Sequence, residues 1–545
     1  MNRILILLAA LGLALPALAQ SRQRYTIVTD GPPAVAARRI ASNADVAHRV
    51  RTYWNLNGFA ADLTEEEVAE LRKSAGVTAV QPVVPRYATS IESYPANLNA
   101  YAKQVMPWGL TMVRGADVWK VTRGETVNVA VIDTGIDATH PDLAVAYAGG
   151  YNVLEPAKPP VDDNRHGTHV SGTIAATNND FGIVGVAPGV RLWAVKALDG
   201  TGKGYDEGIA GALDWIMSKQ REIGGRWVVN MSFSAGAEGG NLERLAVVKA
   251  LEQNIVLVAA AGNNSTTNVE YPARYPGVIA VGAVNQEGLR ADFSAYGGQM
   301  AIVAPGVEMP STLPSGIREE ADVTVGTETF RARGLIGSPK AQMSGKIVFA
   351  NGGHPEEFSA SVKNNIALIA RDRDLTFREK ARNAKDAGAK AVILYDDEET
   401  PNPMLFTLLP RGCPGPDCEP EWNDYQFPLT VNVRLSDGLK LKALADKDAT
   451  VAFEFARYGA ESGTSMAAPH VSGVAALILS LDPTLSPLSV LNVMRNSAHD
   501  TAEPGWDYET AWGIVDALAA AQWVAPDKFN VPPPTPVSRR RSARP

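Results

Sequence analysis

The sequence predicts an open, mostly parallel α/β sheet with helices on both faces, preceded by a small ferredoxin-like α+β unit and interrupted by one β-rich insertion. Three observations carry that class. From about Pro107 onward, short β-branched runs alternate with longer stretches whose apolar residues recur at helical spacing. The runs are continuously apolar, as strands buried on both faces are. The rhythm stops near Pro314 and resumes at about Arg457, which places the insertion between them.

The chain has 545 residues, enough for several cores rather than one, and its net charge of −8 gives no reason to expect nucleic acid or an anionic membrane as partner. Residues 1–19 read as a secretory signal: Arg3, an apolar run from Ile4 to Leu15, and Ala17-Leu18-Ala19 as a small-x-small cleavage site. The run is too short to span a bilayer, and no later stretch reaches the length of a membrane span. The expectation is a secreted protein, extracellular or periplasmic. Residues 20–90 form the small unit. Tyr25–Val28 is strand-like, and Tyr53–Leu63 is a second extended stretch. Thr64 opens a helix with Glu67 three residues on, the spacing of a capping box. Val68, Leu71 and Ala75 line one face of that helix, and Val77–Val80 is the next strand. A loose stretch from Ala88 to Ala100 follows.

Residues 91–314 and 457–525 carry the main sheet. Val127–Ile132 is its first strand and ends in Asp133-Thr134-Gly135. Val190–Ala197, Trp227–Ser232, Ile255–Ala260 and Val278–Val284 are further strands, and Tyr205–Lys219 is a helix with Ile209, Leu213, Ile216 and Met217 on one side. Residues 315–456 form the insertion. It has strand-like runs at Gly345–Ala350, Ile366–Ala370, Ala391–Tyr395, Leu429–Val433 and Val451–Phe455, and a helix from Thr376 to Ala389. Residues 526–545 read as a disordered Pro/Arg tail. The two cysteines, Cys413 and Cys418, flank Pro-Gly-Pro-Asp, and in an exported protein they predict a short disulfide loop. Zinc fits less well, because no matching second pair of ligands is evident.

The chemistry centres on Gly463-Thr464-Ser465-Met466-Ala467-Ala468-Pro469-His470. Pro469 is tolerated near a helix start, so a helix should begin close to Ser465 and present the Ser465 hydroxyl and amide at its positive end. Such a place suits a nucleophile that must form an oxyanion and then stabilise it. A base and its orienting carboxylate are needed, and the candidates are His166, in Arg165-His166-Gly167-Thr168-His169, and Asp133, in the chain order Asp, His, Ser. Asp133-Thr134-Gly135 could belong to an aspartic peptidase, but that chemistry needs a second such carboxylate and none appears. His166 and His169 are spaced like a helical metal pair, yet no third ligand is obvious, and no metal site is assigned.

Together these segments closely resemble the matching motifs of the subtilisin-like serine proteases. The resemblance covers about residues 105–525 apart from the insertion. It implies that Asp133, His166 and Ser465 form a catalytic triad, and that Asn263, in Ala261-Gly262-Asn263, is the oxyanion donor. Ser232-Phe233-Ser234-Ala235 matches the stretch that pairs with extended peptide in that family, with Ser234 where glycine is usual. Glu270, before Tyr271-Pro272, matches the base of the primary pocket and implies a preference for Lys or Arg before the scissile bond. Asn57-Gly58-Phe59-Ala60-Ala61, with the helix and Val-x-x-Val pattern after it, is similar to the inhibitory propeptide of these enzymes. Residues 380–395, with Ser436-Asp437-Gly438, resemble the protease-associated domain, which carries no catalytic residue in that family. The implied partners are protein or peptide substrates and the chain's own propeptide. No cofactor is implied for catalysis. Structural calcium is common in the family, and the sequence names no ligand for it. The reading of a different class is a catalytically silent binding protein acting through the insertion.

Overall fold

A computed structural model describes residues 22–32, 50–88, 90–93, 103–236, 238–316, 319–372, 374–400, 403, 406–408, 426–501 and 504–532. The expected signal sequence, both cysteines and residues 533–545 of the tail lie outside the described residues; the start of the tail, expected to be disordered, forms a 3₁₀ turn at Pro526–Phe529. The chain divides into two compact units, Met1–Val83 with Gly240–Leu242, and Val84–Gly239 with Glu243–Pro545.

In the first unit, Gln23–Thr29 lies between Gly58–Leu63 and Val77–Pro82 in a four-stranded antiparallel sheet, with Arg51–Thr52 at the edge. The stretch expected to be extended from Tyr53 is strand only from Gly58; bends occupy the residues before it. The helix Glu65–Lys73 starts with the expected box: Glu67 N–H donates to the Thr64 hydroxyl, and Thr64 N–H donates to the Glu67 carboxylate. Val68 and Leu71 are buried against Tyr25, Ile27, Phe59 and Leu63. Ala75 does not share that face. The helix is over by Ser74, and Ala75 is exposed.

The second unit is built on a seven-stranded parallel sheet in the order Ile302–Pro305, Ile279–Val284, Val256–Ala260, Arg226–Met231, Val127–Asp133, Arg191–Lys196, Tyr147–Asn152. The chain crosses to one side of its first strand for the next two and then returns to the other side. Its topological switch therefore lies between Val127–Asp133 and Arg226–Met231, and ligands gather at the carboxyl ends of strands at such a point. Two strands have no counterpart in the sequence reading. Tyr147–Asn152 carries Gly149 and Gly150, which break the apolar pattern, and Ile302–Pro305 is only four residues long.

The helix Thr464–Leu481 packs on this sheet and against the helix His166–Ala175. It is the one described helix long and apolar enough to cross a bilayer, and it is buried inside the protein, which accounts for its composition. It does begin at the expected place, but Pro469 lies within it rather than at its first turn.

The insertion is a closed seven-stranded barrel: Glu319–Val325, Glu328–Gly334, Leu429–Val433, Ala391–Tyr395, Ile366–Ala370, Ala341–Phe349 and Asp448–Phe455. Strand alternation gives it two cores. Ile366, Leu368, Ile393 and Val431 point inward to Phe330 and Val451. Ala367, Ile369, Val392 and Leu394 point outward, under Ala381 and Ala384 of the helix Phe377–Asp386. Gly388, at φ +86°, lets the chain turn off that helix. The first two barrel strands are absent from the sequence reading because they are rich in charge, as strands with one wet face are.

Candidate active site

Asp133 closes its strand at the switch point, completely buried. One of its oxygens, Oδ1, accepts from the Thr134 amide at 2.8 Å and meets His166 Nδ1 at 2.8 Å. His166 is the first residue of its helix, and Gly167 behind it touches the strand end: a Cβ there would come within 2.2 Å of the Gly135 carbonyl. Burial opposes a charge on His166. The Asp133 carboxylate and its hydrogen bond, with Glu461 further off, outweigh burial and raise the imidazole pKa above its ordinary value.

Ser465 is the second residue of its helix and is buried. Its hydroxyl donates to the Ser232 carbonyl at 2.9 Å. His166 Nε2 is buried and makes no hydrogen bond, so none joins it to the Ser465 hydroxyl in this structure. Ser232 returns the contact, its hydroxyl donating to the Ser465 carbonyl at 2.8 Å. A regular helix would fill that carbonyl from the amide four residues on, but that residue is Pro469, which has no N–H. Asn230 then donates to the Ser232 hydroxyl at 2.9 Å and accepts from Ser472 at 2.8 Å. The side chain of Ser232 thus braces the helix that carries Ser465.

Asn263 follows the neighbouring strand. Its Oδ1 accepts from both the amide and the hydroxyl of Thr464, each at 2.9 Å. An amide N–H can only donate, so this end of the side chain is oxygen and the other end is the NH₂. Asn264 is engaged elsewhere, donating to Glu270 Oε1 at 2.7 Å.

Ser234 pairs through both backbone groups with Tyr87, each bond 3.0 Å. The segment Pro85–Tyr87 is also antiparallel to Lys203–Tyr205. An extended strand of the chain itself therefore lies between these edges. Phe233 is fully buried, and its side chain is not offered to the cleft. Glu270 and Ser234, with Ala235 and Tyr87, line a cavity of about 440 Å³.

Two buried acids escaped the sequence reading. Asp162 Oδ1 accepts from the Thr134 hydroxyl and the amides of Asn164 and Arg165, and Oδ2 accepts from Thr168. It ties the Asp133 strand to the His166 helix, a role that an aspartate shortly before a helix could have suggested. Glu461 accepts from Arg165 and Ser90, and no local signal marks it.

Among the described residues, no group of three or more His, Cys, Asp or Glu side chains could hold a metal. His169 Nε2 is taken by the Met309 carbonyl at 3.0 Å, which rules out the helical pair with His166. An oxygen-rich site lies at Gln104. Its NH₂ faces the carbonyls of Thr177, Phe181 and Ile183 and the Asn179 Oδ1, at 2.9 to 3.4 Å. Two hydrogens cannot serve four acceptors. Asp142 adjoins the ring through Asn179 and the Ile183 amide. A donor set of this kind suits a hard cation.

The Subtilase family matches residues 124–334 and 445–513, the PA domain 341–425, and Peptidase inhibitor I9 19–89. A thermostable alkaline protease of Halalkalibacterium halodurans is 37% identical over 310 residues, covering 57% of this chain and 79% of that one. Subtilisin NAT of Bacillus subtilis subsp. natto is 42% identical over 320 residues, covering 58% and 76%. The crystal structure of the psychrophilic subtilisin-like protease Apa1 from the Antarctic psychrotroph Pseudoalteromonas sp. AS-11 is similar with a TM-score of 0.51 at 29% identity, covering 79% of this chain and all of that one.

Proposed function

The chain belongs to the subtilase family of serine endopeptidases, and we propose that it cleaves peptide bonds through Asp133, His166 and Ser465 by way of an acyl-enzyme. It is a protease made as a zymogen, with an inhibitory propeptide and an inserted PA domain. The observation that carries the residue roles is the 2.8 Å bond between Asp133 and His166, buried at the strand ends beside the Ser465 helix.

Ser465 Oγ attacks the substrate carbonyl while His166 Nε2 takes its proton. That step needs the hydroxyl to turn from the Ser232 carbonyl towards the imidazole, and in resting sites such bonds are often open. Asp133 fixes the tautomer with the proton on Nδ1 and supports the imidazolium. The Ser465 amide and the Asn263 NH₂ donate to the oxyanion. In subtilisin, where the figure was established, losing one such donor costs on the order of 10²–10³ in turnover. His166 returns the proton to the leaving amine, and water then releases the acyl group.

Gln104, Asp142 and Asn179, with the carbonyls of Thr177, Phe181 and Ile183, would hold calcium, whose part is to neutralise a crowd of oxygens rather than to react. The sequence of residues 1–19 supports export, and the strand Pro85–Tyr87, which leads the chain towards Ser232 and Ser465, supports self-processing just beyond Ala88. The stretch expected to be loose from Ala88 is strand at Ile91–Ser93, antiparallel to Tyr458–Ser462. An active-site fluorophosphonate should label the processed wild type and leave Ser465→Ala unlabelled. A folded wild type that stays unlabelled would favour the silent binding protein.

A further inference from the structure

Arg86 is one of the largest fully buried side chains in the protein. Its Nε and Nη2 donate to the two oxygens of Glu243, at 3.0 and 2.5 Å, and Glu243 is equally buried. The Tyr275 hydroxyl donates to the same carboxylate at 2.9 Å. Asp206 closes the socket: its Oδ1 accepts from the Val84 amide at 2.8 Å, and its Oδ2 is buried with no hydrogen-bond partner. Burial and the charge of Glu243 push the Asp206 pKa up to about 7.

The strand that delivers Arg86 is held as an added strand. Arg86 is opposite Gly204, the Ala88 amide donates to the Gly202 carbonyl at 2.8 Å, and Tyr87 is paired with Ser234. In an antiparallel pair, two residues onward on one strand faces two residues back on the other. A peptide in this register brings its third residue beyond the arginine opposite Ser232, whose carbonyl holds the Ser465 hydroxyl. When the segment leaves, Glu243 keeps its walls and loses its cation. A buried carboxylate left unpaired is costly, and a planar guanidinium meets both of its oxygens where an ammonium or an alkyl group cannot.

We propose that Glu243, backed by Tyr275, is a specificity residue that takes the guanidinium of a substrate arginine three residues N-terminal to the residue whose carbonyl Ser465 attacks. This rests on the protease reading above, and the test separates the two. Peptides that differ only by Arg, Lys or Leu at that position are given to the processed wild type and to Glu243→Gln. The wild type should favour Arg over Leu by at least about tenfold in kcat/KM, with Lys between, and Glu243→Gln should bring the ratio near one. Cleavage with no arginine preference, or a preference that survives Glu243→Gln, overturns the socket and leaves the protease standing. A second arm needs no turnover. In the full-length Ser465→Ala chain, Arg86→Ala should lower Tm, and millimolar n-propylguanidine should recover part of the loss, but not when Glu243→Gln is added. Should Arg86→Ala fail to fold alone, its refolding yield with and without n-propylguanidine carries the same comparison. Rescue of Arg86→Ala by the guanidine, beside a processed wild type that cuts no peptide, keeps the socket and overturns the protease; no rescue of Arg86→Ala overturns the socket.

Discussion

At the scale of single residues, two opposed forces set the state of His166. Burial favours the neutral ring, and the adjacent Asp133 carboxylate favours the cation and wins. Since the ring must be neutral to accept a proton, the acid limb of kcat/KM should have its midpoint above the ordinary imidazole value of 6.5. Asp133→Asn should move that limb down as well as slow turnover. A wild-type limb at or below 6.5, unmoved by the substitution, would sink the pairing as the cause. The sign for stability is the reverse of the sign for activity. A raised pKa contributes stability that is complete below the unfolded value and is lost as pH rises through the folded one. Asp133, His166 and Ser465 were legible because each is marked by its immediate neighbours. Asp162 and Glu461 were not, because a buried acid and a solvated one have the same neighbours in sequence.

At the scale of elements, the helix Thr464–Leu481 shows how a local fault is repaired from a distance. Pro469 leaves the Ser465 carbonyl without its helical donor, and Ser232, from a loop 233 positions earlier, supplies one. Sequence reasoning placed the helix start correctly and assigned Ser232 to substrate. Its backbone faces the nucleophile, but its side chain is spent on the helix. On a Ser465→Ala background, Ser232→Ala should lower stability by about 1 kcal/mol, read as a lower urea midpoint at constant slope. An unchanged midpoint would mean that the bridge contributes nothing. The barrel strands carry the same lesson. The three with two apolar faces match to the residue, the strands Ala341–Phe349 and Asp448–Phe455 begin four and three residues before their expected starts, and the charged pair at the barrel's opening has no counterpart.

At the scale of the whole molecule, the strand order gathers four loops at one place. Asp133 ends its strand, Ser232 and Asn263 come just after the ends of theirs, and Thr464-Ser465 arrives only after the barrel is complete. The excess of oxygens around Gln104 belongs to this scale as well, since it joins the residues near 104, 142 and 177–183. Removing calcium with EDTA should lower Tm by several degrees, and added calcium should restore it, while Asp142→Asn should abolish the response. A Tm indifferent to EDTA in the wild type would remove the ion from the account.

What the sequence determined by itself was whatever local chemistry writes into neighbouring residues: β-branched runs, the Thr64 capping box, the glycine-flanked histidine and serine, and the interruption between Pro314 and Arg457. Tertiary structure alone decided which acids are buried and what they face. Glu243, in the helix Asn241–Glu252, has nothing in its neighbouring sequence to set it apart until folding closes Tyr275, Asp206 and Arg86 around it. Periodicity and capping act over a few residues and leave a pattern there. Desolvation and pairing act between side chains that meet only when the sheet register is complete, so no stretch of sequence records them.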